Sequence, residues 1–120
     1  MRAVTIDADG RRLMLCELSA IQAVQCEQQG EGLACKLRLR GIDGAAAGAV
    51  AHNAALCAFS LQDEHGRVFN SARAAADTLT LEELARIAQR YQDSFMSGEC
   101  FESGVNLGVK RKGAGGGGAV

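Results

Sequence analysis

Two stretches of this chain share one pattern: apolar positions, an acidic turn holding a glycine and an arginine, then apolar positions again. VTIDADGRRLML covers residues 4–15 and FSLQDEHGRVF covers residues 59–69. In the first, AVTI and LMLCEL flank DADGRR, and Gly10 can supply the positive φ of a tight turn, which predicts a hairpin over residues 3–18. The second reads the same way. Asp63 and Glu64 solvate its tip, Gly66 takes the awkward backbone geometry, and Val68 and Phe69 return to the core. Asp63 and Glu64 beside His65 also look like a catalytic acid–histidine group. Such a group needs a third partner and a pocket, and the recurrence of the acid–glycine–arginine motif favours turn chemistry.

Helical periods fill most of the remainder. Ser19, with Gln22 three residues on, has the spacing of a capping box and opens a short helix, SAIQAVQCEQQ, with Ile21, Val24 and Cys26 inward. After it Leu33, Cys35, Leu37 and Leu39 alternate with Ala34, Lys36, Arg38 and Arg40. That is the period of a half-buried strand, and Gly32 and Gly41 flank it. Residues 45–59 form an alanine-rich helical pattern with Val50, Ala54, Cys57 and Leu61 on one stripe and His52 and Asn53 on the polar face. Gly48 inside it implies a close helix contact or a helix end. SARAAADTL predicts a second short helix started by Asn70 or Ser71. The strongest pattern follows: Thr80 and Glu83 form a capping box, and Leu84, Ile87, Ala88, Tyr91 and Phe95 recur at helical spacing up to an end at Gly98. This stripe is either core or partner face, and Leu84, Ile87, Tyr91 and Phe95 are the candidate partner-binding residues.

The pattern therefore predicts an α+β fold: a helix-dominated small domain over residues 1–103 with one or two short hairpins. From residue 104 the chain is dominated by glycine and ends in KRKGAGGGGAV, a composition that predicts a flexible, disordered tail over residues 104–120. With 120 residues there is material for one modest core. Four Phe, one Tyr and no Trp leave Ala, Leu and Val to fill it.

Charge and cysteine usage narrow the chemistry. A net charge of -1 gives no electrostatic footprint for nucleic acid, and Lys110-Arg111-Lys112 is too short to change that. No run reaches transmembrane length and the N-terminus lacks the apolar core of a signal peptide, so the expected place is the cytosol. Cys16, Cys26, Cys35, Cys57 and Cys100 then read as reduced thiols. None stands at ligand spacing from another Cys or from His52 or His65, so no metal is expected. DADG fails as a calcium loop as well, because the glycine falls fourth from Asp7 and Leu18 stands where the twelfth-position Glu is needed. No catalytic or cofactor-binding constellation emerges. The residues alone predict a small non-enzymatic interaction domain.

Over residues 54–97 the chain resembles the tail assembly chaperones of long-tailed bacteriophages. The matching pieces are ALCAFSLQDEHGRVF, NSARAAADTL and TLEELARIAQRYQDS, in the order hairpin, short helix, helix with a hydrophobic stripe. His65 departs from that pattern, which more commonly has an acid there, and the opening hairpin and LACKLRLRG have no counterpart in it. The resemblance implies a protein of the host cytoplasm that coats the tape-measure protein, recruits tail-tube subunits and is absent from the mature virion. A homo-oligomer is compatible with it. It also implies ribosomal frameshifting: the glycine-rich tail looks like the end of an unshifted product, with a −1 slippery heptamer expected in the codons for residues 105–120. The alternative is a structural phage protein of the neck, completion or tail-terminator type, or another small cytosolic interaction domain.

Overall fold

A computed structural model describes residues 2–8 and 10–96. The expected end at Gly98, Cys100 and the glycine-rich tail lie outside the described residues. The fold is α+β, four helices and one four-stranded antiparallel sheet, in the order β1 (Ala3–Ala8), β2 (Arg11–Cys16), α1 (Ala20–Leu39), α2 (Gly44–Ser60), β3 (Leu61–Asp63), β4 (Gly66–Arg67), α3 (Ala72–Thr78) and α4 (Leu81–Phe95).

Both predicted hairpins are present. β1 and β2 pair from Ala3 opposite Cys16 to Ala8 opposite Arg11, so Ile6, Ala8, Leu13 and Leu15 share the buried face. The turn glycines Gly10 and Gly66 sit at φ of 71° and 109°, a region closed to most side chains. β3 adds to the free side of β2, with Leu61 opposite Leu15, and β4 closes the sheet beside β3. The sheet order follows chain order, although α1 and α2 intervene between β2 and β3.

The expected strand at residues 33–40 does not exist. Those residues complete α1, which starts at Ser19 with the predicted capping box: the Gln22 amide donates to the Ser19 hydroxyl oxygen at 3.2 Å and the Ser19 amide to Gln22 Oε1 at 2.9 Å. Leu, Lys and Arg all favour helix, and Lys36 and Arg38 in the last turn suit the negative end of the helix dipole. Gly32 is inside the helix. Gly41 ends it at φ 88°, where the Gly41 amide donates to the Arg38 carbonyl and the Ile42 amide to the Leu37 carbonyl, the two bonds of a Schellman stop. Period two and period 3.6 diverge here: Leu33 turns inward and Leu37 is half-buried, but Cys35 and Leu39 face solvent. Ile21 and Val24, expected inward, are exposed as well, and of that trio only Cys26 enters the core.

Asp43 caps α2, accepting from the Ala45 and Ala46 amides. α2 is the centre of the molecule. Its Ala47, Ala51, Ala54, Ala55, Cys57, Ala58 and Phe59 are buried, and α1, α3, α4 and the sheet all pack on it. Small side chains let those neighbours approach from several sides at once. Gly48 shows neither the expected close contact nor a helix end: it lies inside α2, and a Cβ there would sit at an ordinary 3.6 Å from the Arg38 guanidinium. On α1, Gly30 sits still closer to α2, since a Cβ would come within 2.7 Å of the His52 ring.

Ser71 caps α3 through the Ala74 amide, and Gln29 of α1 accepts from the Ala72 amide at 2.9 Å. Thr80 and Glu83 form the predicted capping box of α4. The Tyr91 hydroxyl accepts from the Leu18 amide at 2.9 Å, which ties α4 to the entrance of α1. Arg86 donates to the Asp7 carbonyl of β1 at 2.9 Å.

Candidate interaction surface

The stretch 61–69 resolves into a turn. The Asp63 carboxylate accepts from the His65 amide at 2.8 Å and lies 3.3 Å from the Arg11 guanidinium. The amide bond, and then the charge of Arg11, hold the Asp63 carboxyl below its ordinary range. Glu64 and His65 are exposed and 3.7 Å from each other. Val68 is half-buried and Phe69 joins the core. Arg67, exposed at the edge, lays its guanidinium 4.4 Å over the Phe59 ring and donates to the Ala58 carbonyl. It fastens the hairpin to α2, an anchoring role with no signal in the sequence.

The thiols divide by depth. Cys26 and Cys57 are buried, and loss of hydration pushes them up to about 11 and about 12, so both stay protonated at neutral pH. Cys16 is half-buried and raised for the same reason, whereas Cys35 is exposed on α1. Among the described residues no cluster of three or more His, Cys, Asp or Glu is arranged to hold a metal. His52 pairs with Glu31 of α1 at 3.1 Å, across the contact made close by Gly30.

The candidate partner-binding residues Leu84, Ile87, Tyr91 and Phe95 form the inward face of α4 and are all buried. Tyr91 and Phe95 meet edge to face with centroids 4.9 Å apart, and Arg2 lies over the Phe95 ring. In this arrangement the stripe is core. A partner reaches it only if α4 lifts away from α2.

The accessible apolar surface is elsewhere. Ile21 is 72% exposed, Val24 57%, Leu39 83% and Ile42 42%, all on the outward side of α1 or its C-terminal stop. Only the pattern of a longer helix could have revealed this. Once residues 20–39 are read at 3.6 residues per turn, Cys26, Gly30 and Leu33 fall on one side, and Ile21, Val24, Cys35 and Leu39 fall on the other.

The class defined by this fold is a helix-dominated α+β domain in which an alanine-rich helix is wrapped by three others and a four-stranded antiparallel sheet. No protein-family model, characterised protein or solved structure matches the chain. No helix among the described residues is long and apolar enough to cross a membrane.

Proposed function

We propose that the chain is a non-enzymatic assembly chaperone for the tail of a long-tailed bacteriophage. It binds the tape-measure protein in the host cytoplasm, recruits tail-tube subunits and leaves before the virion is complete. The observation that supports this reading is the order of elements after Ala54. The end of α2, the β3–β4 hairpin, the short α3 and the longer α4 follow one another as hairpin, short helix and striped helix, the arrangement on which the resemblance rests. Exposed apolar side chains on α1, Ile21 and Val24 near its start and Leu39 and Ile42 at its end, fit a protein whose work is to meet other proteins.

The test is co-expression with the product of the long helical reading frame expected beside its gene, together with mass spectrometry of purified particles. A chaperone gives a soluble complex with that product and is missing from the particles. If the chain is instead found in finished particles at a fixed stoichiometry, it is a structural subunit and the proposal fails.

A further inference from the structure

We infer that the free edge of β1 takes up an extended, acidic segment of a partner protein as a further strand of the sheet. The inference is independent of the tail-assembly reading.

The sheet ends in β1 on one side and β4 on the other, and the two edges differ. β4 is two residues long and offers almost no template. β1 is six residues long, and its pairing with β2 runs from Ala3 to Ala8 without a bulge or a proline. A regular edge of that length invites another strand unless something covers it.

The register shows which backbone groups of β1 are open. The Glu17 amide donates to the Arg2 carbonyl, so Arg2, Val4, Ile6 and Ala8 exchange hydrogen bonds with β2. Ala3, Thr5 and Asp7 therefore turn their amides and carbonyls toward the free edge. The Asp7 carbonyl confirms that direction, since it accepts from Arg86 of α4 at 2.9 Å. Among the described residues nothing hydrogen-bonds to the Ala3 or Thr5 backbone on that side, and both residues are exposed.

Charge selects the occupant. An open groove of about 490 Å³ runs beside the edge, lined by Thr5, Ile6, Asp7, Arg12, Arg86 and Arg90. Its one acid, Asp7, already has Arg12 at 3.5 Å. Arg86 and Arg90 meet no carboxylate among the described residues: Arg86 donates to the Asp7 carbonyl, and Arg90 to the Ser94 hydroxyl at 3.3 Å. An extended chain laid along Ala3 and Thr5 satisfies the open amides and carbonyls, and carboxylates on its side chains satisfy the two arginines. Rival occupants fit less well. A second copy adding its own β1 about a two-fold axis would bring the α4 arginines of both chains to one face of the seam, where like charges oppose it. A helix leaves the open backbone groups unmet, because its own amides and carbonyls are bonded internally.

The test measures fluorescence anisotropy of a short labelled peptide, alternating threonine and glutamate, against the full chain. Saturable binding that weakens with added salt is expected. The same peptide with glutamine in place of glutamate should bind about tenfold more weakly, and so should the glutamate peptide to a chain carrying both Arg86→Gln and Arg90→Gln. The backbone is tested separately. N-methylation of alternate residues removes the amides along one edge of the peptide, so of the two possible N-methylated peptides one should lose binding and the other keep it. Thr5→Pro removes an edge amide that no ladder bond uses, so this variant should keep the parental circular-dichroism spectrum and lose the peptide. Absence of binding by the acidic peptide overturns the inference. Binding that does not distinguish the two N-methylated peptides overturns it too, because the arginines then attract an anion without forming a strand. A native dimer that Thr5→Pro returns to monomer gives the edge to a second copy and equally overturns it. Should Thr5→Pro unfold the chain, the two N-methylated peptides decide the matter on the native protein.

Discussion

Gly30 is the residue at which two preferences oppose each other. A helix favours alanine over glycine by about 1 kcal/mol, yet at this position a methyl group would be 2.7 Å from His52 Nδ1. His52 is held there by Glu31, one residue from Gly30, so the ring cannot yield without breaking its 3.1 Å contact. Gly30→Ala is therefore expected to destabilise the native chain, and to stabilise it by up to about 1 kcal/mol in a His52→Ala background. The coupling between the two substitutions, read from urea denaturation as a double-mutant cycle, is the measurement. Additive effects would mean that the ring and the glycine do not constrain each other. By comparison Glu64 and His65 are peripheral: both are exposed, and the Asp63 turn beside them is held through a backbone amide that any residue but proline supplies at position 65.

At the scale of elements, α4 has its inward and outward faces sharply separated, and its energetics should follow. Ile87 is fully buried and Leu81 is 71% exposed. Ile87→Ala is expected to cost about 2–5 kcal/mol, against less than about 0.5 kcal/mol for Leu81→Ala, by chemical denaturation of each variant. Equal losses would mean that α4 is not packed as described. That separation is also why α4 was legible from sequence: one apolar stripe, one capping box and one polar face all agree. The hairpins were legible because each turn carries its glycine where positive φ is needed. α1 was not, since a helix with apolar residues on both faces loses the single stripe that marks it. Leu33, Cys35, Leu37 and Leu39 satisfy period two as well as they satisfy two opposite helical faces. Gly41, read as flanking a strand, was the clue to a helix stop, but it becomes decisive only with the Ile42–Leu37 bond in view. The surface on α1 is hidden by the same ambiguity, because a short helix expected to open at Ser19 would turn Ile21 and Val24 toward the core.

For the whole molecule the ends of the described fold are neighbours. Arg2, just before β1, pairs with Glu17 after β2 and also donates to the carbonyl of Phe95, the last residue of α4, at 3.3 Å. Hydrogen bonding to Arg2 holds the Glu17 carboxyl below its ordinary range, so this clasp is charged at neutral pH. The consequence concerns connectivity: the order in which the chain visits its elements is separable from the shape they make. A short glycine linker from Met96 to Arg2 would turn the fold into a closed loop, and the exposed Glu64–His65 turn offers a place to reopen it. Such a circular permutant is expected to retain the helical circular-dichroism spectrum and cooperative melting of the parent. If it does not fold, the β3–β4 turn must be covalently intact for the sheet to assemble. By the same geometry a polypeptide fused after residue 96 leaves the domain at the doorway where one fused before residue 2 would enter, so appendages at the two ends compete for the same space.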